Sequence, residues 1–313
     1  MIYQRQKVLL ALLKEAPSRS ASKIQLVKWL FLLKEEESID RHISFYSFFP
    51  YSYGPFSFEA YRDISELESF GWVESDSSSF RYTMSDKEYC QLKLPSSVIH
   101  SVKKVLENYG ELSQKSLIDY VYRKYPWYAS RSKIRKSDLP TGSPNARRAI
   151  YSLGYEGLSI DAFLDILLKV GIQVVIDSRS NPISRKYGFS KFILAGKCLD
   201  VGIGYHQFSD IGIPSEPRRK VRDRQNLWDF YVTEILSKNL NVLRSIADMC
   251  RSKPSVLICF EKNPEDCHRH IVARELSVIT GLPIIHYIEG RWKKDGGENK
   301  GPHNRQDLPY AIE

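Results

Sequence analysis

The spacing of apolar residues changes once along the chain, near residue 148. Before that point they recur at helical intervals. After it, short continuous apolar runs alternate with helical ones. Between Lys7 and Lys14, the residues Val8, Leu9, Leu12 and Leu13 mark the inner side of a helix. Ser22 stands where an N-cap is wanted, ahead of Ile24, Val27, Leu30 and Phe31 at helical spacing. An aromatic run, Phe45, Tyr46, Phe48 and Phe49, is followed by the chain-breaking Tyr53-Gly54-Pro55. A third helix is expected over residues 57–70, stopped by Gly71. Trp72–Glu74 and Phe80–Thr83 can pair across the serine-rich turn at 75–79. Helices followed by a two-stranded wing predict a winged helix over residues 1–130. Residues 131–147 are basic, carry Gly142 and two prolines, show little periodicity, and read as a linker.

Residues 148–290 have a different grammar. Strands are expected at 149–153, 173–176, 204–208, 255–260 and 283–287. Helices are expected after Ser159, over 192–199, as one long element over 227–250, and over 267–280. Ser159 caps the first of these, and Phe163, Leu164, Leu167 and Leu168 form its inner stripe. Continuous apolar strands alternating with helices predict a Rossmann-like, mostly parallel sheet covered on both faces. The fold class is therefore α/β, a mainly α winged helix joined to that sheet, and residues 291–313 read as an irregular polar tail.

Composition narrows the setting. The 313 residues, 42% apolar and 27% charged, suffice for two domains with their own cores. No stretch approaches the roughly 18 uncharged apolar residues of a membrane span, and the charged start is unlike a signal peptide, so a cytoplasmic protein is expected. Five cysteines, scattered and odd in number, fit reduced thiols rather than a disulfide framework. A net charge of +9 favours a polyanionic partner, and DNA is the usual one. Basic residues cluster at Arg131, Lys133, Arg135 and Lys136, and again at Arg218, Arg219, Lys220, Arg222 and Arg224.

The candidate chemistry lies at two strand ends, where open α/β sheets place their ligands. Val174-Val175-Ile176 runs into Asp177-Ser178-Arg179, an acid with an arginine two residues on. Ser255–Phe260 ends in Cys259 and Glu261, followed by Cys267-His268-Arg269 at an expected helix start. Asp177 and Glu261 are candidates for carboxylate catalysis, and His268 for proton transfer. Arg179 and Arg269 suit phosphates. Tyr155, Tyr187, Phe189, Tyr205 and His206, with Lys186, fall in or beside loops at strand ends, where aromatic faces can take an unstacked base. Cys259 and Cys267 offer thiols, whose alternative is simple core packing. Zinc is reachable through Cys259, Cys267 and His268, but no second ligand pair of zinc-finger spacing exists, and the reading proceeds with no metal and no cofactor. Phosphate-loop, nucleophile-elbow and zinc-protease motifs are absent from the sequence.

Two resemblances add to this. The first 130 residues resemble the winged-helix proteins related to antitoxins and the YwgA-like family. The likeness is carried by Lys23–Lys28, Tyr53-Gly54-Pro55-Phe56-Ser57, Gly71-Trp72, the wing ending in Thr83, and Tyr120–Pro126. It implies DNA or partner binding. Residues 149–288 resemble the bacterial domain-of-unknown-function family numbered 488. The matching residues are Ser152–Tyr155, Leu158-Ser159, Phe163-Leu164, Val175–Pro182, Phe189, Gly204-Tyr205-His206, Cys259-Phe260-Glu261 and Glu265–Arg269. Ser178 departs from the valine common there. The resemblance implies a Rossmann-like domain with shared polar positions Asp177, Arg179, Glu261, Cys267, His268 and Arg269, and leaves the activity open.

The expectation that joins these signals is an enzyme acting on DNA at a base or sugar, a glycosylase removing a modified base, with anti-phage defence as a plausible setting by analogy. A winged-helix regulator sensing a nucleotide-like small molecule, a nuclease, and thiol chemistry at Cys259 or Cys267 remain alternatives. No membrane partner is expected, and the oligomeric state is left open.

Overall fold

The computed structural model describes residues 2–134, 146–214, 216 and 223–295. The chain divides into two units, Met1–Ser143 with Ser159–Asp165, and Pro144–Leu158 with Ile166–Glu313. Among the described residues, no helix is long and apolar enough to cross a membrane.

The first unit begins with α1 (Gln4–Glu15), β1 (Ser20–Ser22) and α2 (Lys23–Glu35). A hairpin follows, β2 (Phe49–Tyr51) and β3 (Gly54–Phe56), then α3 (Phe58–Ser69), β4 (Val73–Ser75) and β5 (Ser79–Tyr82). Strands β4 and β5 pair antiparallel, as the serine-rich turn predicted, and β1 adds itself to β5 as a third strand. This is the element order of a winged helix with one hairpin inserted. Helices α4 (Asp86–Cys90), α5 (Ser96–Tyr109), α6 (Gln114–Lys124) and α7 (Pro126–Ala129) complete the unit.

The expected caps form. Ser22 accepts from the backbone of Gln25 at 3.1 Å while the Gln25 side chain returns to the Ser22 backbone at 3.2 Å. Gly71 takes a positive φ of 71° just past α3. Helix α1 buries Val8, Leu9, Leu10, Ala11, Leu12 and Leu13 and therefore runs through the core rather than along its edge. The hairpin β2–β3 was legible only as an aromatic run and a break. Gly54 sits in it at φ 97°, where an added Cβ would stand 2.7 Å from the Tyr122 ring. The Tyr53-Gly54-Pro55 motif is thus structural.

The second unit is built on a six-stranded sheet of order β11-β10-β6-β9-β7-β8. Its strands are β6 (Ile150–Gly154), β7 (Val174–Asp177), β8 (Gly204–Gln207), β9 (Ser255–Cys259), β10 (Ile284–Ile288) and β11 (Arg291–Lys294). All neighbours pair parallel except β10 and β11. The connecting helices are α8 (Ile160–Val170), α9 (Lys191–Asp200), α10 (Arg224–Phe230), α11 (Leu240–Ser252) and α12 (Arg269–Thr280). Ile150, Val174, Ile176, Leu257 and Ile284 pack with Tyr231, Leu243, Ile246 and Leu276 on one face. The alternate residues Leu153, Val175, Val256 and Ile258 are equally buried and face the other way. From β6 the chain passes to β7 and then β8 on one side of the sheet order, whereas from β9 it passes to β10 on the other. Adjacent strands β6, β9 and β7 therefore send their chains in opposite directions, which opens a switch point at their carboxyl ends.

Three expectations change. The long helix over 227–250 is interrupted: α10 passes into a π-helical turn at Tyr231–Leu236, and α11 starts afresh at Leu240. Both halves keep one apolar stripe on the same core, so periodicity alone does not register the break. Cys267 and His268 precede α12, because a 3-10 turn at Pro264–Asp266 bends the chain first and His268 becomes the helix N-cap. The tail is not irregular throughout, since Arg291–Lys294 pairs with β10. Of the expected linker, residues 135–145 lie outside the described residues, as do 296–313 of the tail.

Candidate functional site

The carboxyl ends of β6, β7, β8 and β9 bring together most of the residues singled out in the sequence. Register sets the neighbours: Gly154 pairs with Cys259, and Asp177 with Ile258 on one side and Gln207 on the other.

At the end of β7, Asp177 is fully buried and fully engaged. Its Oδ1 accepts from Arg179 Nε at 2.8 Å and from the Arg179 backbone at 3.1 Å. Its Oδ2 accepts from Arg179 Nη2 at 2.5 Å and from the Tyr205 hydroxyl at 2.6 Å. The remaining Arg179 nitrogen, Nη1, donates to the Tyr155 hydroxyl at 2.7 Å and the Phe189 carbonyl at 2.8 Å. This closed pair is charge-assisted and bidentate. Burial alone would lower the guanidinium's pKa, but hydrogen bonding and the charge of Asp177 raise it. Tyr155 and Phe189 stack on each other, centroids 4.2 Å apart and planes 9° from parallel. Their facing surfaces are spent on one another, so a base cannot enter between them. Asp177, Arg179, Tyr155, Phe189 and Tyr205, each expected at the site, are joined in one buried framework.

The end of β9 is organised from its backbone. Arg269 is fully buried, and its guanidinium is held by a hydroxyl and two backbone carbonyls. Its Nε donates to Ser152 Oγ at 3.0 Å, Nη1 to the Glu261 carbonyl at 2.5 Å and Nη2 to the Lys262 carbonyl at 3.0 Å. A guanidinium so occupied pins the loop that carries Glu261 and Lys262. The approach is close enough that a Cβ on Gly154 would lie 1.7 Å from the Glu261 carbonyl oxygen. Glu261 itself is half-buried, with Oε2 3.2 Å from Cys259 Sγ. Phe260 is 45% exposed, and its ring meets Tyr155 edge-on at 5.5 Å.

Behind Glu261 lie Cys259, Cys267 and His268, all buried, with their ligand-type atoms within 4.8 Å of one another. His268 Nε2 is 2.9 Å from the Ser178 carbonyl oxygen, and its Nδ1 is 3.8 Å from Cys267 Sγ and 4.0 Å from Cys259 Sγ. Burial opposes ionisation of Cys267, but the Cys259 thiol, His268 and Arg269 outweigh it and hold Cys267 well below the usual thiol range. The Cys267 sulfur as hydrogen-bond partner, followed by burial, pushes Cys259 well above that range.

Of the other expected residues, Lys186 reaches the Tyr155 carbonyl at 3.3 Å, Tyr187 is half-buried nearby in sequence, and His206 is exposed on β8. Arg218, Arg219 and Lys220 lie outside the described residues. Ser152, Gly154, Ser178 and Phe260 earned no individual role from the sequence. Ser152 had a signal, being a polar residue inside an apolar strand that must find a partner. The Ser178 carbonyl had none, because any residue supplies one.

Comparison with known families follows the same division. Residues 159–276 match the family described as domain of unknown function DUF488. Residues 26–128 match the model described as antitoxin SocA-like, Panacea domain. No curated protein and no solved structure matches the chain. The first match spans Asp177, Arg179, Cys259, Glu261, Cys267, His268 and Arg269, and leaves Ser152 and Tyr155 of the site outside it.

Proposed function

We propose that the second unit is a hydrolase of N-glycosidic bonds, acting on a nucleic-acid base, with Glu261 as its working carboxylate. The observation that carries this reading is the clamp of Arg269 on the Glu261 and Lys262 carbonyls. A loop held by its main chain presents its side chain in a fixed place, which is what a pre-organised site requires. Removing a base develops positive charge on the sugar, and a nearby carboxylate stabilises that charge and orients water. Phe260, exposed beside Glu261, offers an aromatic face for a base taken out of its stack. Arg185, exposed in the loop after β7, and His206, exposed on β8, would provide polar contacts for phosphate or sugar.

The test is incubation of the full chain with plain and modified DNA. Free base is read by mass spectrometry, and abasic sites by alkali lability. Base release that Glu261→Gln lowers by about 10²–10⁴-fold supports the reading. Base release unchanged by Glu261→Gln removes Glu261 from the chemistry. Strand breaks without free base replace the reading with a nuclease.

A second reading concerns the first unit, which we infer engages a protein more readily than a DNA duplex. Residues 1–130 hold 17 Lys and Arg against 16 Asp and Glu, so nearly all of the net positive charge lies beyond them. Helix α3, third in the winged-helix order, carries Glu59, Asp63, Glu66 and Glu68 against Arg62 alone. Its N-terminus is already filled, since Asp161 accepts from Ser57 Oγ at 2.7 Å and from the Phe58 and Glu59 backbones at 2.8 and 3.1 Å. An acidic helix with an occupied N-terminus is poorly suited to a phosphate backbone. The antitoxin-like description of the matching model supports a protein partner.

A further inference from the structure

We propose that Cys259, Cys267 and His268 bind a divalent metal ion of the zinc class through three protein ligands, at a centre beside Glu261. The inference does not rest on the base-removal reading. The three residues come from two places, the last position of β9 and the turn before α12, and the 3-10 turn at Pro264–Asp266 folds one onto the other. The distances already fit. Zinc bonds of about 2.3 Å to sulfur and about 2.0–2.1 Å to nitrogen, at tetrahedral angles, separate ligand atoms by about 3.5–3.8 Å. His268 Nδ1 stands 3.8 and 4.0 Å from the two sulfurs, within a few tenths of an ångström of that separation, and all three ligand atoms lie within 4.8 Å of one another.

The histidine is set in the tautomer a ligand needs. Its Nε2 faces the Ser178 carbonyl at 2.9 Å, and a carbonyl only accepts. Nε2 is thereby the donor to the carbonyl, and Nδ1 is the ring nitrogen that faces the sulfurs. A backbone carbonyl holding the far nitrogen of a ligating imidazole is the usual outer support of a metal centre. Tyr231 packs edge-on against the ring, centroids 5.4 Å apart. Charge agrees too: two thiolates and a neutral imidazole around a dication make a neutral centre, which tolerates this burial. Glu261 is not among the mutually close ligand atoms, yet its Oε2 lies 3.2 Å from Cys259 Sγ. Three ligands with a carboxylate alongside leave a place for water, as in catalytic rather than structural zinc sites.

The experiment is metal analysis of the full chain, purified under reducing conditions without chelator and then incubated with zinc or cobalt(II). The expected result is about one zinc per chain, and a cobalt form with intense tetrahedral bands and thiolate-to-cobalt charge transfer. Cys267→Ser and His268→Ala should lower affinity by at least about tenfold. Cys198→Ser and Cys250→Ser, buried cysteines outside the cluster, should leave it intact. Because the cluster variants risk misfolding, the cobalt spectrum of the unaltered chain decides alone. No uptake of either metal, a cobalt spectrum without thiolate charge transfer, or a Cys259–Cys267 disulfide in place of metal overturns the proposal. Base release can fail while metal binds, so the two readings separate.

Discussion

Two neighbouring strands of one sheet each end near a carboxylate, and the fold uses the two in opposite ways. Asp177, the last residue of β7, is buried with four donors on its two oxygens. Glu261, after β9, has its main chain bound by a buried guanidinium and its carboxylate turned toward Cys259. The first arrangement consumes the side chain to hold a framework. The second fixes the loop through its backbone and sets the carboxylate against Cys259. An arginine near a strand-end acid is therefore ambiguous until its partners are known. Arg179 binds a carboxylate, whereas Arg269 binds carbonyls. The first unit repeats the framework solution at Asp63, fully buried beneath Arg5 at 2.6 Å, Arg62 at 2.8 Å and Tyr46 at 3.0 Å.

The contrast breaks first at the two acids. Glu261→Gln should cost about 10²–10⁴-fold in base release and lower unfolding free energy by only about 0.5–1.5 kcal/mol. Asp177→Asn should do the reverse. It leaves Arg179 buried beside a neutral group and should cost about 3–5 kcal/mol in denaturant unfolding, with activity per folded molecule largely kept. Equal losses of activity in both variants would erase the distinction.

A buried cation with no carboxylate sharpens it further. Lys28 Nζ donates to the Tyr53 carbonyl at 2.5 Å, and no salt bridge to it occurs among the described residues. Burial pushes its pKa down from 10.5 to about 7. Across that interval the unfolded chain holds a proton the folded chain lacks, so this group makes stability rise with pH. Lys28→Met should flatten the rise and stabilise the chain at neutral pH by about 1–4 kcal/mol, read from unfolding midpoints between pH 7 and 10. A smaller effect is expected at the clamp. Gly154→Ala forces the Glu261 carbonyl away, and should cost about 1–3 kcal/mol while lowering base release, measured on the same preparations.

Much of this was legible before folding. Ser22 with Gln25, Gly71 after α3 and the serine-rich turn between β4 and β5 are local instructions, satisfied within a few residues of themselves. The parallel sheet followed from continuous apolar runs, because strands covered on both faces have no polar side to show. The strand ends at Asp177 and Glu261 were also visible, since a charge terminating such a run must find a partner or water. The break at Ser237–Asn239 left no mark, because both halves of the helix keep their apolar residues on one core.

The sequence by itself determined the two kinds of domain, the order of their elements and the strand ends at which chemistry gathers. Which carboxylate is structural, that Tyr155 and Phe189 stack on each other, and that Cys259, Cys267 and His268 converge were decided only by the tertiary structure. The reason is physical. Local pattern specifies which face of a strand or helix is apolar, whereas the partner of a buried guanidinium depends on strand order and register. Here β9 lies between β6 and β7, and that placement, set by crossovers spanning dozens of residues, aims Arg269 at carbonyls and leaves Asp177 to Arg179.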